Sequence, residues 1–288
     1  MSHAREEREL KLTFQSKDAL KCPACSASFH REELLSGGGR LIAGPLTDEL
    51  HRLYEPSVKY GVVHPLMYQA TVCPSCWFAS YDSDFQALPG KSRDDVNDDR
   101  EARITDIQSI FPSVDFSANR TLAEGAAGHY LALRCYGFFP KEFSPTLKQA
   151  IAALRAAWLF EELHAKDAGE NYDWLELLFK RKARFLYKEA VLKEQTGKEP
   201  LAGVRNFGPD VDKNYGYEGA LYLTALLELK YGSREDPVRR TAALGESKRA
   251  IAKLFGLGKS SKAKPGPLLE KARDLYDGLN KELNETDD

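Results

Sequence analysis

The chain has no long apolar run. Nothing in its 288 residues approaches the roughly 20 consecutive apolar residues that a bilayer-crossing helix needs. The opening stretch, "MSHAREERELKLTFQSKDALK", is charged throughout and contains no apolar core of signal-peptide length. These absences point to a cytoplasmic protein with no membrane partner. An excess of one charge is missing too: 41 Lys and Arg stand against 43 Asp and Glu, a formal net charge of −2, so no global basic field marks a nucleic-acid partner. Cysteine is scarce, five in all, and in a reducing compartment structural disulfides are not expected. Apolar material is not lacking. A hydrophobic fraction of 42%, with 14 Phe, 13 Tyr and 3 Trp, is enough for real cores, and the length suggests about two domains.

Composition shifts at residues 86–103, "QALPGKSRDDVNDDREAR", where a Pro-Gly pair precedes an acid-rich polar run. This places a first domain at 1–88, a linker at 89–118 and a second domain at 119–288. The first part holds four of the cysteines, turn signals such as "SGGG" at 36–39, and strand candidates at Leu10–Phe14, Arg40–Ala43 and Met67–Val72. The second reads as helix almost without interruption. "SPTLKQAIAALRAAWLFEELHAK" starts with Ser144 as N-cap and Pro145 at the first helical position. "YDWLELLFKRKARFLYKEAVLKEQTG" carries Leu175, Leu178, Phe185, Leu186 and Val191 in a helical stripe. Three further helical segments follow, and an earlier one spans about Arg120–Tyr136. The expected fold is α+β but mostly α, the second half being helical hairpins of tetratricopeptide-like spacing, without several clean copies of that roughly 34-residue repeat.

The strongest chemical signal is Cys22, Cys25, Cys73 and Cys76, two CPxC pairs separated by 47 residues. Each pair at that spacing turns two thiolates toward one point, and two such knuckles supply the four sulfurs of a tetrahedral zinc site. Four thiolates saturate zinc, so the metal is expected to be structural, one per chain. The gap exceeds the roughly 15–20 residues of a compact ribbon, so the intervening segment must fold as an insertion. Iron also accepts four thiolates, although the two-knuckle arrangement favours zinc. A small domain with short strands and a long insertion gains much of its stability from such a metal.

The order CPAC, Asp48, Tyr54, His64-Pro65, Tyr68 and VCPSC, followed by Ala79 and Phe85, resembles an uncharacterised bacterial family with a zinc-ribbon-like amino-terminal part and tetratricopeptide-like helices after it. The motif resemblance covers about residues 20–86. It implies metal ligation by Cys22, Cys25, Cys73 and Cys76 and nothing catalytic. One departure stands out. Ribbon knuckles often carry Gly directly after the second cysteine, where positive φ is convenient, whereas this chain has Ser26 and Trp77 there, at an expected cost of about 1–2 kcal/mol each.

Other features yield to plainer explanations. "FGLGKSSKAKPGP" at 255–267 imitates a phosphate-binding loop, but Lys253 stands where the motif demands glycine, and the segment follows a helix instead of a strand. His30 is surplus beside four thiolates, and Cys135 reads as a buried small hydrophobe. In "KRKARFLYK", Phe185 and Leu186 are expected inward with Lys180, Arg181 and Arg184 solvated. The loop "NFGPDVDKNYGYEG" at 206–219 is long for a helix connector, and a well-packed structural role is expected for it. Function therefore reads first as a non-enzymatic zinc-binding adaptor whose helical surface takes a protein or peptide. The alternatives are a nucleic-acid-binding ribbon using Lys17, Lys21, Arg31 and Arg40, disfavoured by the acidic balance, and an enzyme with a site between the domains around His64, His129 and Asp210.

Overall fold

A computed structural model describes residues 11–201, 204–255 and 266–287. The amino-terminal part is built from four two-stranded antiparallel ladders: β1 (Thr13–Gln15) with β4 (Glu32–Leu34), β2 (Leu20–Lys21) with β3 (Ser28–Phe29), β5 (Ile42–Leu46) with β6 (Arg52–Glu55), and β7 (Ala70–Val72) with β8 (Ala79–Tyr81). The strand expected over Met67–Val72 begins only at Ala70, because Pro65 opens a 3-10 turn over Pro65–Tyr68. Isolated hairpins of two to five residues per strand are marginal in water, so something besides the ladders must hold them.

Short helices follow: α1 (Asp82–Phe85), α2 (Arg93–Asp98) and α3 (Arg100–Ile110). The acid-rich stretch therefore folds, with Asp94, Asp95 and Glu101 in first turns, where the helix dipole favours negative charge. Among the described residues six long helices follow: α4 (Leu122–Cys135), α5 (Pro145–Lys166), α6 (Tyr172–Gln195), α7 (Gly216–Tyr231), α8 (Pro237–Phe255) and α9 (Gly266–Asp287). Each packs on the next in sequence, as helical hairpins do. The phosphate-loop imitation and its lysines, Lys259, Lys262 and Lys264, fall outside the described residues.

Local signals explain these helix boundaries. Thr121 and Glu124 form a reciprocal capping box on α4. The α5 boundary falls at Pro145 as expected, but Ser144 makes no capping hydrogen bond. Its hydroxyl donates to Pro200 O at 2.5 Å, and Glu199 instead accepts from Thr146 N at 2.7 Å. Helix α5 is central. The run "AIAALRAA" supplies small residues with no exposed surface, so α4 and α6 approach closely on either side.

The α6 stripe lies partly elsewhere than expected. Leu186 and Val191 are buried, but Leu178 and Phe185 are 44% and 53% exposed, and Lys180 is buried, bonded to Glu176 at 2.6 Å. Residues 179, 183, 186, 187 and 190 fill the inward face, which turns Phe185 out by one step of about 100°.

A single contiguous core runs from the cysteine knuckles to α9. Two of the contacts that join the halves fix how they dock. At Gly125 on α4 a Cβ would lie 3.0 Å from Met67 Cα, so the missing side chain lets the helix sit directly on the segment before β7. The turn between β5 and β6 plugs into the helices. Leu50 is fully buried at φ +61°, Glu49 accepts from Trp158 Nε1 at 2.7 Å and from Tyr231 OH at 2.6 Å, and Tyr222 OH donates to Asp48 O at 2.8 Å. The insertion between the CPxC pairs thus docks on the helical half together with β8 and α1.

Candidate metal centre

The four cysteines converge. Their sulfurs all lie within 4.8 Å of one another, with Cys22 to Cys76 and Cys25 to Cys73 each at 3.7 Å. A tetrahedral tetrathiolate with metal–sulfur bonds of about 2.3 Å requires sulfur–sulfur edges of about 3.8 Å, so the cage has the right size. Cys22, Cys73 and Cys76 are buried, and Cys25 is half-buried.

The knuckles are near copies of one another. Cys22 N donates to Ala27 O at 2.8 Å and Ser26 N to Cys22 O at 2.9 Å; Cys73 N donates to Phe78 O and Trp77 N to Cys73 O, both at 2.9 Å. Ser26 and Trp77 adopt the left-handed conformation that glycine usually supplies, at φ +65° and +57°. Packing offsets the strain at Trp77, whose indole is buried and meets Phe116 edge-on at 5.3 Å. Backbone amides are also aimed at the sulfurs, Cys25 N at Cys22 and both Ser75 N and Cys76 N at Cys73.

Four thiols so close cannot ionise independently. Hydrogen bonds from Cys22 and Cys76 pull the Cys73 thiol down to about 2, whereas the bond to Cys73 together with burial pushes Cys22 up to about 12. One thiolate therefore forms readily, while Cys22 and Cys76 are both pushed up and hold their protons, so metal entry must displace protons.

The segment read as a linker grips the back of the site. Arg103 is fully buried and donates to Cys76 O through Nε at 3.0 Å and Nη2 at 2.6 Å, while Nη1 bonds Val96 O. Arg100 donates to Ser75 O at 2.6 Å, Asn97 to Ala24 O at 3.3 Å, and Gln86 to Lys21 O at 3.0 Å. Both knuckles are thus clamped by side chains from residues 86–103, Gln86 just before the expected linker and the other three within it. Four thiolates around a divalent ion carry a formal charge of −2, and Arg103 places a buried cation behind it. Arginine in a composition-defined linker gave no sequence signal for this role.

The other candidate residues are dispersed. His30 donates from the exposed surface to Ser16 O at 2.7 Å. Among the described residues, no hydrogen bond or ion pair links His64, His129 and Asp210 to one another. Asp210 is fully buried, accepting from His51 Nδ1 at 2.5 Å and Arg52 N at 2.7 Å, and Asp212 takes Arg52 Nε at 2.6 Å. The loop at 206–219 is therefore a structural brace on the β5–β6 hairpin. Of the four basic residues considered for nucleic acid, Arg31 is ion-paired with Glu33 and Asp82, and Arg40 donates to Lys11 O and Gly37 O. Only Lys17 and Lys21 of that set are left to a polyanion. Cys135 is buried, which pushes its thiol up to about 11.

His129 is buried and bonded through Nε2 to Leu66 O at 2.9 Å. Burial, reinforced by the charge of Arg155, pushes its pKa down to about 3. The unfolded chain takes up this proton below its ordinary value near 6.5 while the folded protein refuses it, so stability falls as the pH drops from there toward 3. The slope approaches about 1.4 kcal/mol per pH unit. Urea midpoints at about pH 7 and about pH 5 should differ less in His129→Gln than in the parent. Equal differences in the two proteins would contradict a buried neutral imidazole.

The family described as "Uncharacterized protein conserved in bacteria (DUF2225)" matches residues 15–279, which include both knuckles and nearly all of the helical half. The chain belongs to this family. It is also 41% identical over 274 residues, 95% of this chain and 98% of the other, to an "Uncharacterized protein" of Borreliella burgdorferi. No solved structure matches the chain. In this DUF2225 protein a buried four-cysteine cluster able to hold a metal precedes a bundle of long packed helices, and among the described residues no helix is long and apolar enough to cross a membrane.

Proposed function

We propose that this DUF2225 protein is a non-enzymatic zinc-binding adaptor of the cytoplasm. One zinc, held by Cys22, Cys25, Cys73 and Cys76, fixes the amino-terminal part, and the helical half binds a protein or peptide. The size of the sulfur cage and its all-thiolate donor set support zinc in a closed, structural site. The non-enzymatic reading is supported by how the candidate acids and bases are used, since Asp210 is engaged by His51 and Arg52 and His129 is sealed in the core.

The observation that carries the adaptor reading is a groove of about 340 Å³ between α6, α7 and α8. Val191, Leu192, Leu221, Ala225 and Ala250 give it an apolar lining, with Lys188, Arg249, Lys253 and Glu246 around them. Trp174, Leu178, Phe185 and Leu192 continue the apolar surface as one exposed stripe along α6. An apolar channel with a mixed-charge rim suits a side chain or helix face from a partner. A photo-crosslinking residue at Leu192 should capture a discrete partner in cells, and Ala250→Trp, which fills the groove, should reduce capture at least tenfold without changing the melting temperature. Capture at Leu192 no stronger than at the exposed Lys281 of α9 would dismiss this surface.

A further inference from the structure

A second cavity, of about 560 Å³, opens between the β8–α1 corner, α5 and residues 204–206. We propose that it binds a small organic anion, whose carboxylate or phosphate group docks on the guanidinium of Arg155. Arg155 lines this cavity yet is only 6% exposed. Its Nε donates to Pro209 O at 2.5 Å, and its guanidinium lies 4.8 Å from the centre of the Tyr81 ring. Both Nη groups are left without a backbone or carboxylate acceptor among the described residues. The other buried arginines differ. Arg103 is spent on the carbonyls of Cys76 and Val96, and Arg240 on those of Glu228 and Leu229 and on the Glu282 carboxylate.

A buried cation without a counter-charge is costly, and a bound anion removes that cost through paired, charge-assisted hydrogen bonds. The surroundings point the same way. The Tyr81 hydroxyl is buried without a well-formed hydrogen bond, although Arg155 lies close by. Of the nearby acids, Asp84 is held by Lys148 at 2.6 Å and by Tyr136 OH at 2.7 Å, and Asp82 is ion-paired with Arg31. Glu142 sits at the exposed rim, opposite in charge to Arg205, which is exposed at the mouth. Gln69 and Asn206 add neutral hydrogen-bonding groups to the wall. The volume falls within the range of small-molecule sites and exceeds that of a bare inorganic ion.

The test is calorimetric titration of the full-length, metal-loaded protein at constant ionic strength. Inorganic phosphate and succinate form separate arms, and sodium chloride is the blank. Saturable binding is expected in at least one arm, and the responding arm distinguishes phosphate from carboxylate chemistry. Arg155→Gln should weaken it at least tenfold. Ser83→Trp, a change at an exposed position on the cavity wall, should do the same by filling the space while leaving Arg155 in place, so it decides the matter even if Arg155→Gln fails to fold. Saturation in neither arm, or affinity unchanged by Ser83→Trp, would overturn the assignment.

Discussion

Replacing Cys73 and Cys76 together by serine is expected to strip the protein of its metal and lower its thermal midpoint by on the order of 10 °C. Serine is nearly isosteric, so the change tests ligation more than packing, but a hydroxyl is a poor ligand for a soft, thiolate-selecting ion. The effect should be large because the knuckles are not a detachable appendage. Cys73 and Cys76 join β7 to β8, those strands pack against α4, and the core is continuous from there to α9. Loss of the cage should therefore loosen the helical half as well, and unfolding should remain a single transition at the lower temperature. Elemental analysis with differential scanning calorimetry reads both effects. About one zinc per chain in the parent and almost none in the variant is the expected pair of values. A parent that purifies with iron, or a variant that keeps its metal, would refute the structural zinc site.

Arg103→Leu is expected to cost about 3–5 kcal/mol, the range for breaking a buried charged network. Leucine fills part of the volume, but the carbonyls of Cys76 and Val96 lose their partners inside a fully buried site. The cationic counterweight to the tetrathiolate disappears with them, so zinc affinity should drop about 10- to 100-fold, as when outer partners of a metal site are removed. Urea denaturation measures the first effect and competition with a chromogenic chelator the second. Arg103→Lys should recover part of the stability but not all of it, since one ammonium cannot reproduce the fork that serves both carbonyls. A variant with unchanged metal affinity would reduce Arg103 to an ordinary core residue.

The features legible in the sequence share one property, locality. Two CPxC pairs mark four cysteines that can converge on one point because the knuckle geometry is set within a few residues, and the strain at Ser26 and Trp77 follows from the absence of glycine at those two positions. The long helices are legible for a similar reason. Pro145 marks the start of α5, and the helix expected at about Arg120–Tyr136 is found over Leu122–Cys135. The stripe expected to place Leu178 and Phe185 inward is overturned, because the neighbouring elements chose the buried face and a one-residue rotation was enough to reverse the expectation.

What the sequence by itself determined is therefore the four-cysteine set able to hold a metal, the family resemblance and the succession of helices, each carried by residues close together in the chain or by a repeat. Only the tertiary structure decided what the 47 residues between the knuckles do, namely insert Asp48, Glu49 and Leu50 among α5, α6 and α7. It also decided that the acid-rich stretch folds onto the four-cysteine cluster, that Asp210 meets His51 across 159 positions, and that Arg155 lines a cavity with no carboxylate among the described residues bonded to its guanidinium. Those contacts join residues remote in sequence whose types are unremarkable in isolation, and their partners are selected by the packing of one shared core rather than by any local rule.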